Sequence, residues 1–110
     1  MKLAIIGSRK IKNEVIDKYV PKGVSEIVSG GAQGVDMLAR EYAIRNNIKL
    51  VEFLPQYNLY GRAAPIKRNE EIAKYADEAV VLWDGKSKGT ESTIRLFKRL
   101  GKKVSVYIIE

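Results

Sequence analysis

The sequence predicts an α/β domain of the doubly wound type, a mostly parallel five-stranded sheet with helices on both faces. Five short stretches rich in Val, Ile and Leu are apolar throughout rather than alternating, as strands buried on both sides are. The segments between them space their apolar residues as helices do. At 110 residues with only 3 Pro, no internal repeat and no linker, the chain reads as one domain over residues 1–110.

Lys2 to Gly7 is the first expected strand, followed by Glu26 to Ser29, Lys49 to Leu54, Glu78 to Trp83 and Lys103 to Ile109. Ile11, Val15 and Tyr19 space a first helix that closes near Pro21. Val35, Leu38, Ala39, Tyr42 and Ala43 give the clearest stripe, ended by Asn46-Asn47. A third stripe, opened by Pro65, runs through Ile66, Asn69, Ile72, Ala73 and Ala76. The fourth, Thr90, Ile94, Phe97 and Leu100, closes at Gly101. Pro55 to Ala64 is the one long connection; because it carries Tyr57, Tyr60 and Arg62 it reads as functional.

Composition removes several chemistries. The chain has no Cys and no His, which excludes disulfides, thiolate or imidazole zinc sites and Ser-His or Cys-His catalytic pairs. No apolar run reaches the length of a membrane span, so no membrane association is expected and a cytoplasmic location is. Twenty Lys and Arg against 13 Asp and Glu give +7, a balance that favours a polyanionic partner, either nucleic acid or a phosphorylated small molecule.

In a doubly wound sheet ligands bind outside the carboxyl ends of the strands. There the first strand runs into Gly7-Ser8-Arg9, and the second into Ser29-Gly30-Gly31-Ala32-Gln33-Gly34-Val35-Asp36 at a helix start. Such glycine turns present backbone N–H groups to an anion, though an ordinary tight turn with Asp36 as a first-turn carboxylate has the same sequence. The fourth strand opens on Trp83-Asp84-Gly85-Lys86-Ser87-Lys88-Gly89-Thr90-Glu91, a second cradle, with Thr90 also able to cap the helix. Neither loop is a Walker A or a G-x-G-x-x-G motif, so an ATPase or a dinucleotide dehydrogenase is not expected. Arg68 and Asn69 lie in the first turns of the third helix, where a cation opposes the helix dipole and an anion in the cleft would explain it.

These motifs, in this order, resemble the SLOG superfamily of Rossmann-like nucleotide-binding domains, and most closely its YspA or cpYpsA-related branch. The superfamily also holds the LOG-type phosphoribohydrolases, which cleave a base from a nucleoside monophosphate, and the DprA-type proteins that load single-stranded DNA. The resemblance implies a nucleotide-sized cleft in which Gly30, Gly31, Gly89 and Thr90 hold phosphate and Arg68 matches the catalytic Arg of LOG-type enzymes. Those enzymes place a glutamate two or three residues after the Gly-Thr pair, where this chain has Ser92 and Thr93; its own carboxylate, Glu91, follows Thr90 directly.

The leading expectation is a domain that binds a nucleotide-type small molecule, such as a nucleoside phosphate or an ADP-ribose-like compound. Its contacts would be Gly7, Ser8 and Arg9; Ser29, Gly30, Gly31, Ala32, Gly34 and Asp36; Arg68 and Asn69; and Ser87, Gly89 and Thr90. Tyr57, Tyr60 or Trp83 would stack the base. The enzymatic alternative is N-glycosidic hydrolysis with Arg68 and Glu91 as catalytic residues. A further alternative is a DprA-like DNA-binding module, drawing on the charge and on Arg95, Lys98, Arg99 and Lys102 along one helix face. No motif calls for a metal or a cofactor. Related domains often self-associate, with Tyr42 or the basic helix as candidate homo-oligomer contacts.

Overall fold

The computed structural model describes the whole chain, Met1–Glu110. Its strands are β1 (Lys2–Gly7), β2 (Glu26–Ser29), β3 (Lys49–Glu52), β4 (Glu78–Trp83) and β5 (Lys103–Ile108). The helices are α1 (Val35–Arg45), the short α2 (Tyr57–Tyr60), α3 (Ala64–Tyr75) and α4 (Lys88–Arg99). All five strands are parallel in the order β3-β2-β1-β4-β5. The chain therefore builds outward from β1 to β3, then crosses back to lay β4 against the other side of β1. The order reverses between β1 and β4, whose ends are level, with Gly7 opposite Leu82.

Alternation along the strands divides the core in two. Leu3, Ile5, Ile27, Val80 and Leu82 face one side, where Val35, Ala39 and Ala43 of α1 cover them. Ala4, Ile6, Val28, Ala79 and Val81 face the other, under Ile72, Ala73 and Ala76 and under Ile94 and Phe97 of α4. Both faces being covered explains why the central strands read as continuous apolar runs.

The first expected helix does not form. Between β1 and β2 the only helical piece is a 3-10 turn over Asp17–Tyr19. The buried apolar residues there are Ile11 and Ile16, five apart, a spacing no helix face shares, while Val15 is 67% exposed. The two isoleucines instead seal the α1 side of the core from an irregular crossing segment. β3 stops at Glu52 and β5 at Ile108, two residues and one residue short of the expected ends. The connection over Pro55 to Ala64 is partly ordered as α2 and a 3-10 turn at Gly61–Ala63.

Helix α3 also differs in detail. Ile66 is 58% exposed, and the buried residues of α3 are Ala64, Arg68, Ile72 and Ala73, the first three spaced four apart along one face. An arginine thus stands where the row calls for an apolar side chain. Leu100 is likewise exposed, and α4 buries Thr90, Thr93, Ile94 and Phe97. Gly101 ends α4 in the left-handed region at φ 71°, as expected of a residue just past a helix.

Lys102, grouped by sequence with a basic face, has a structural task. Its Nζ donates to the carbonyls of Ala73 (2.7 Å), Lys74 (2.9 Å) and Ala76 (2.7 Å), which are open acceptors at the end of α3. Lys102→Met should keep the aliphatic stem but lose about 1–2 kcal/mol, read as a lower urea midpoint at unchanged slope. An unchanged midpoint would return Lys102 to the solvated surface.

Candidate functional site

The site is built where β1 and β4 end. A Cβ on Gly7 would overlap the Leu82 carbonyl and sit 2.7 Å from Val35 Cγ2, so only glycine lets β1 finish pressed against β4 and α1. The next residue, Ser8, is buried and ties the adjoining loops together. Its N–H donates to the Leu82 carbonyl (3.1 Å), and its own carbonyl accepts from Ile11 (3.3 Å) and from Val35 (3.4 Å) at the start of α1. Its hydroxyl accepts the Asp84 N–H at 3.1 Å and lies 3.1 Å from the Ser87 hydroxyl.

The loop after β4 is folded around Asp84. Its carboxylate accepts the N–H groups of Lys86 and Ser87, both at 2.8 Å, and these hold the Asp84 carboxyl down to about 2. Trp83 donates its indole N–H to the Ser87 carbonyl at 3.1 Å. The first α4 residue to use an acceptor of this turn is Glu91, whose N–H meets that same Ser87 carbonyl, so the first-turn donors before it remain for a ligand. A side chain at Gly89 would meet nothing within 4 Å, which marks that edge as open.

From the other side comes Arg68, 9% exposed. Its Nη1 donates to the Gly30 carbonyl (2.7 Å) and its Nε to Asn69 Oδ1 (2.9 Å). A Cβ at Gly30 would overlap the guanidinium and stand 3.0 Å from Asp36 Oδ2, so glycine is what leaves room for the arginine. Asp36 accepts the Ala32 N–H at 3.1 Å. Burial pushes the Asp36 carboxyl up, against the opposing pull of the Ala32 N–H and of Arg68; burial and the nearby Arg9 charge push Arg68 down. No carboxylate lies within ion-pair distance of Arg68, whose oxygen partners are neutral. It is a buried cation with its charge incompletely answered.

These groups surround a cleft of about 440 Å³. Into it converge Gly7, Ser8 and Arg9 after β1, Gly30, Ala32 and Asp36 after β2, Arg68 and Asn69 of α3, and Ser87, Gly89 and Thr90 at α4. Other expected residues lie elsewhere. Ser29 is wholly buried beneath the loop, its Oγ 3.4 Å from the Gly31 N–H. Gly31 lines a neighbouring depression, and Gly34, at φ 74°, presses against the backbone of Ser8 and Arg9. Trp83 packs on the core and braces the α4 loop, and Tyr57 and Tyr60 stand exposed on α2. Glu91 is exposed and paired with Arg95 at 3.1 Å, outside the cleft lining, which leaves Asp36 as the carboxylate that faces it.

Lys10, Pro65 and Thr93 line the cleft without having been singled out. Thr93 had a signal in the sequence: it lies one turn beyond Gly89 on α4, and its hydroxyl donates to the Gly89 carbonyl at 3.0 Å. Lys10 follows Arg9 directly, and neither enters an ion pair.

A family model described as DNA recombination-mediator protein A matches residues 1–60. Among solved structures, DNA processing protein A from Helicobacter pylori, described for its single-stranded DNA binding mode, is similar at a TM-score of 0.76 and 23% identity. The alignment covers 100% of this chain and 66% of that protein, so the chain spans about two thirds of its length, and at this identity the likeness is one of fold. No curated protein sequence matches the chain. Of the relatives that the strand-end motifs bring together, these matches fall to the DprA type.

The raised Asp36 carboxyl gives a stability signature. The folded chain holds that proton more tightly than the unfolded chain, so the contribution is complete below the ordinary carboxylate value of about 4 and is lost as pH rises through the folded value. The stability of the protein relative to Asp36→Asn should therefore fall as pH is raised from below about 4, then level off, in urea unfolding at a series of pH values. A pH-independent difference would contradict the assignment.

Proposed function

Because the chain belongs to the DNA recombination-mediator protein A family, we propose that it binds single-stranded DNA and that the cleft between β1 and β4 receives the DNA's phosphates. The observation that carries this reading is Arg68, a buried guanidinium with no carboxylate paired to it, aimed into a cleft that also presents Arg9 and Lys10. A phosphate there would meet the Arg68 charge and the open N–H groups at the start of α4, with the Thr90 hydroxyl beside them. Such contacts position a backbone without reading sequence. Residues 1–110 would act as one binding unit. No helix is long and apolar enough to cross a membrane, and a DNA partner fits the cytoplasmic setting expected from the sequence.

One feature favours a second reading. The cleft's volume of about 440 Å³ falls in the range of small-molecule sites, and a nucleoside phosphate would use the same phosphate contacts. The hydrolytic alternative has no such support, since Glu91 is engaged with Arg95.

Fluorescence anisotropy with a labelled dodecathymidylate at a series of salt concentrations tests the proposal. Arg68→Ala should weaken binding at least tenfold at physiological salt, about 1.4 kcal/mol, and each lost phosphate contact should reduce the log–log salt slope by about 0.7. Competition by thymidine monophosphate or ADP-ribose as effective as that by the oligonucleotide would favour the small-molecule reading. Binding that Arg68→Ala leaves unchanged would remove the cleft from the DNA site.

A further inference from the structure

Beside the main cleft lies a second depression of about 350 Å³, and the two share Arg9, Gly30, Ala32 and Arg68. Pro55 lines the second depression, and two residues later the chain enters α2. This short helix is unusual for what it exposes. Tyr57 is 57% and Tyr60 41% exposed, and Leu54 and Leu59 beside them are exposed further. No residue from Gln56 to Ala63 is buried, so these rings are not core side chains. Nor do they stack within the protein: the aromatic pairs are Tyr19 with Tyr107 and Phe53 with Tyr75. The tyrosine hydroxyls that find protein partners are those of Tyr19 and Tyr75. Tyr57 opens this helix two residues after Pro55, so α2 adjoins the second depression along the chain, with its rings outside the lining of either one.

An exposed aromatic shelf next to a cationic trough fits one kind of occupant. Neither depression is lined by a carboxylate other than Asp36, and the 3-10 turn after α2 adds the exposed, unpaired Arg62. Successive phosphates can follow the shared arginines while the bases between them turn toward α2. Paired bases offer edges rather than faces, so such a shelf also selects unpaired strands.

We infer that α2 is the base-stacking shelf of this DNA site, with Tyr57 and Tyr60 holding bases of the nucleotides whose phosphates lie on Arg9 and Arg68. The inference rests on the DNA reading above and extends it: the unit recognised is a short run of unpaired nucleotides rather than one phosphate group.

The test compares hexathymidylate with an abasic hexamer of the same backbone, by anisotropy at physiological salt, alongside sedimentation of the protein alone. The wild-type chain should prefer the thymidylate. The Tyr57→Ala, Tyr60→Ala double variant should lose at least tenfold in affinity for the thymidylate and little for the abasic strand, with an unchanged salt slope. Tyr57→Phe with Tyr60→Phe, which keeps the rings, should bind as wild type does. The shelf is overturned if the alanine variant leaves thymidylate binding intact, weakens both strands equally, or instead dissociates a dimer of the chain with DNA affinity unaltered. If the wild-type chain binds neither hexamer nor the dodecamer, the DNA reading itself falls, and the shelf with it.

Discussion

A guanidinium cannot give up its charge, so an arginine in the buried row of a helix obliges its surroundings to supply oxygen atoms. Much of the site follows from that obligation at Arg68. The carbonyl of Gly30 and the amide oxygen of Asn69 meet two of its nitrogens, and Gly30 must lack a side chain for the first contact to form. The loop after β2 is thereby pulled toward α3, which sets where Ala32 and Asp36 sit. Because the partners are dipoles rather than a paired carboxylate, the enclosure satisfies the hydrogen-bonding geometry without neutralising the ion. The Arg68 charge therefore still contributes a positive potential to the cleft, where a salt-bridged arginine would contribute less.

The sheet explains why that potential is useful. With strand order reversing between β1 and β4, the chain leaves the two central strands toward different parts of the fold, and a gap opens above their ends. Helix α4 starts at this gap with its first-turn donors unspent, and α3 brings Arg68 and Asn69 from the facing side. Fold and charge distribution thus select the same location for an anionic ligand. The remaining basic surface is less telling: Arg95 is engaged with Glu91, and Lys102 closes the end of α3.

The central strands and their terminal loops were legible because their signals are local. A continuous apolar run followed by glycines at a helix start has few other uses, and β1, β2 and β4 fall at their expected bounds. The segment after β1 misled because Ile11, Val15 and Tyr19 match a helical spacing while tertiary packing buries Ile11 and Ile16. Ile66 failed for the converse reason, since its neighbour Arg68 takes the inward position that hydrophobicity assigns elsewhere. Long-range partners were beyond reach. Nothing near Lys102 announces three carbonyls at the end of a helix some 26 to 29 residues earlier.

Ser8 joins features that the sequence keeps far apart. Through its hydroxyl and its backbone it links the ends of β1 and β4, the start of α1 and the turn before α4. A rim stitched together in this way has few independent motions left to freeze. An arriving anion then meets donors already at their working separation, and little of the attraction is spent on ordering the protein. Preorganisation of this kind favours tight binding at low cost to the protein, and the departure of an anion is then set by the contacts it must break.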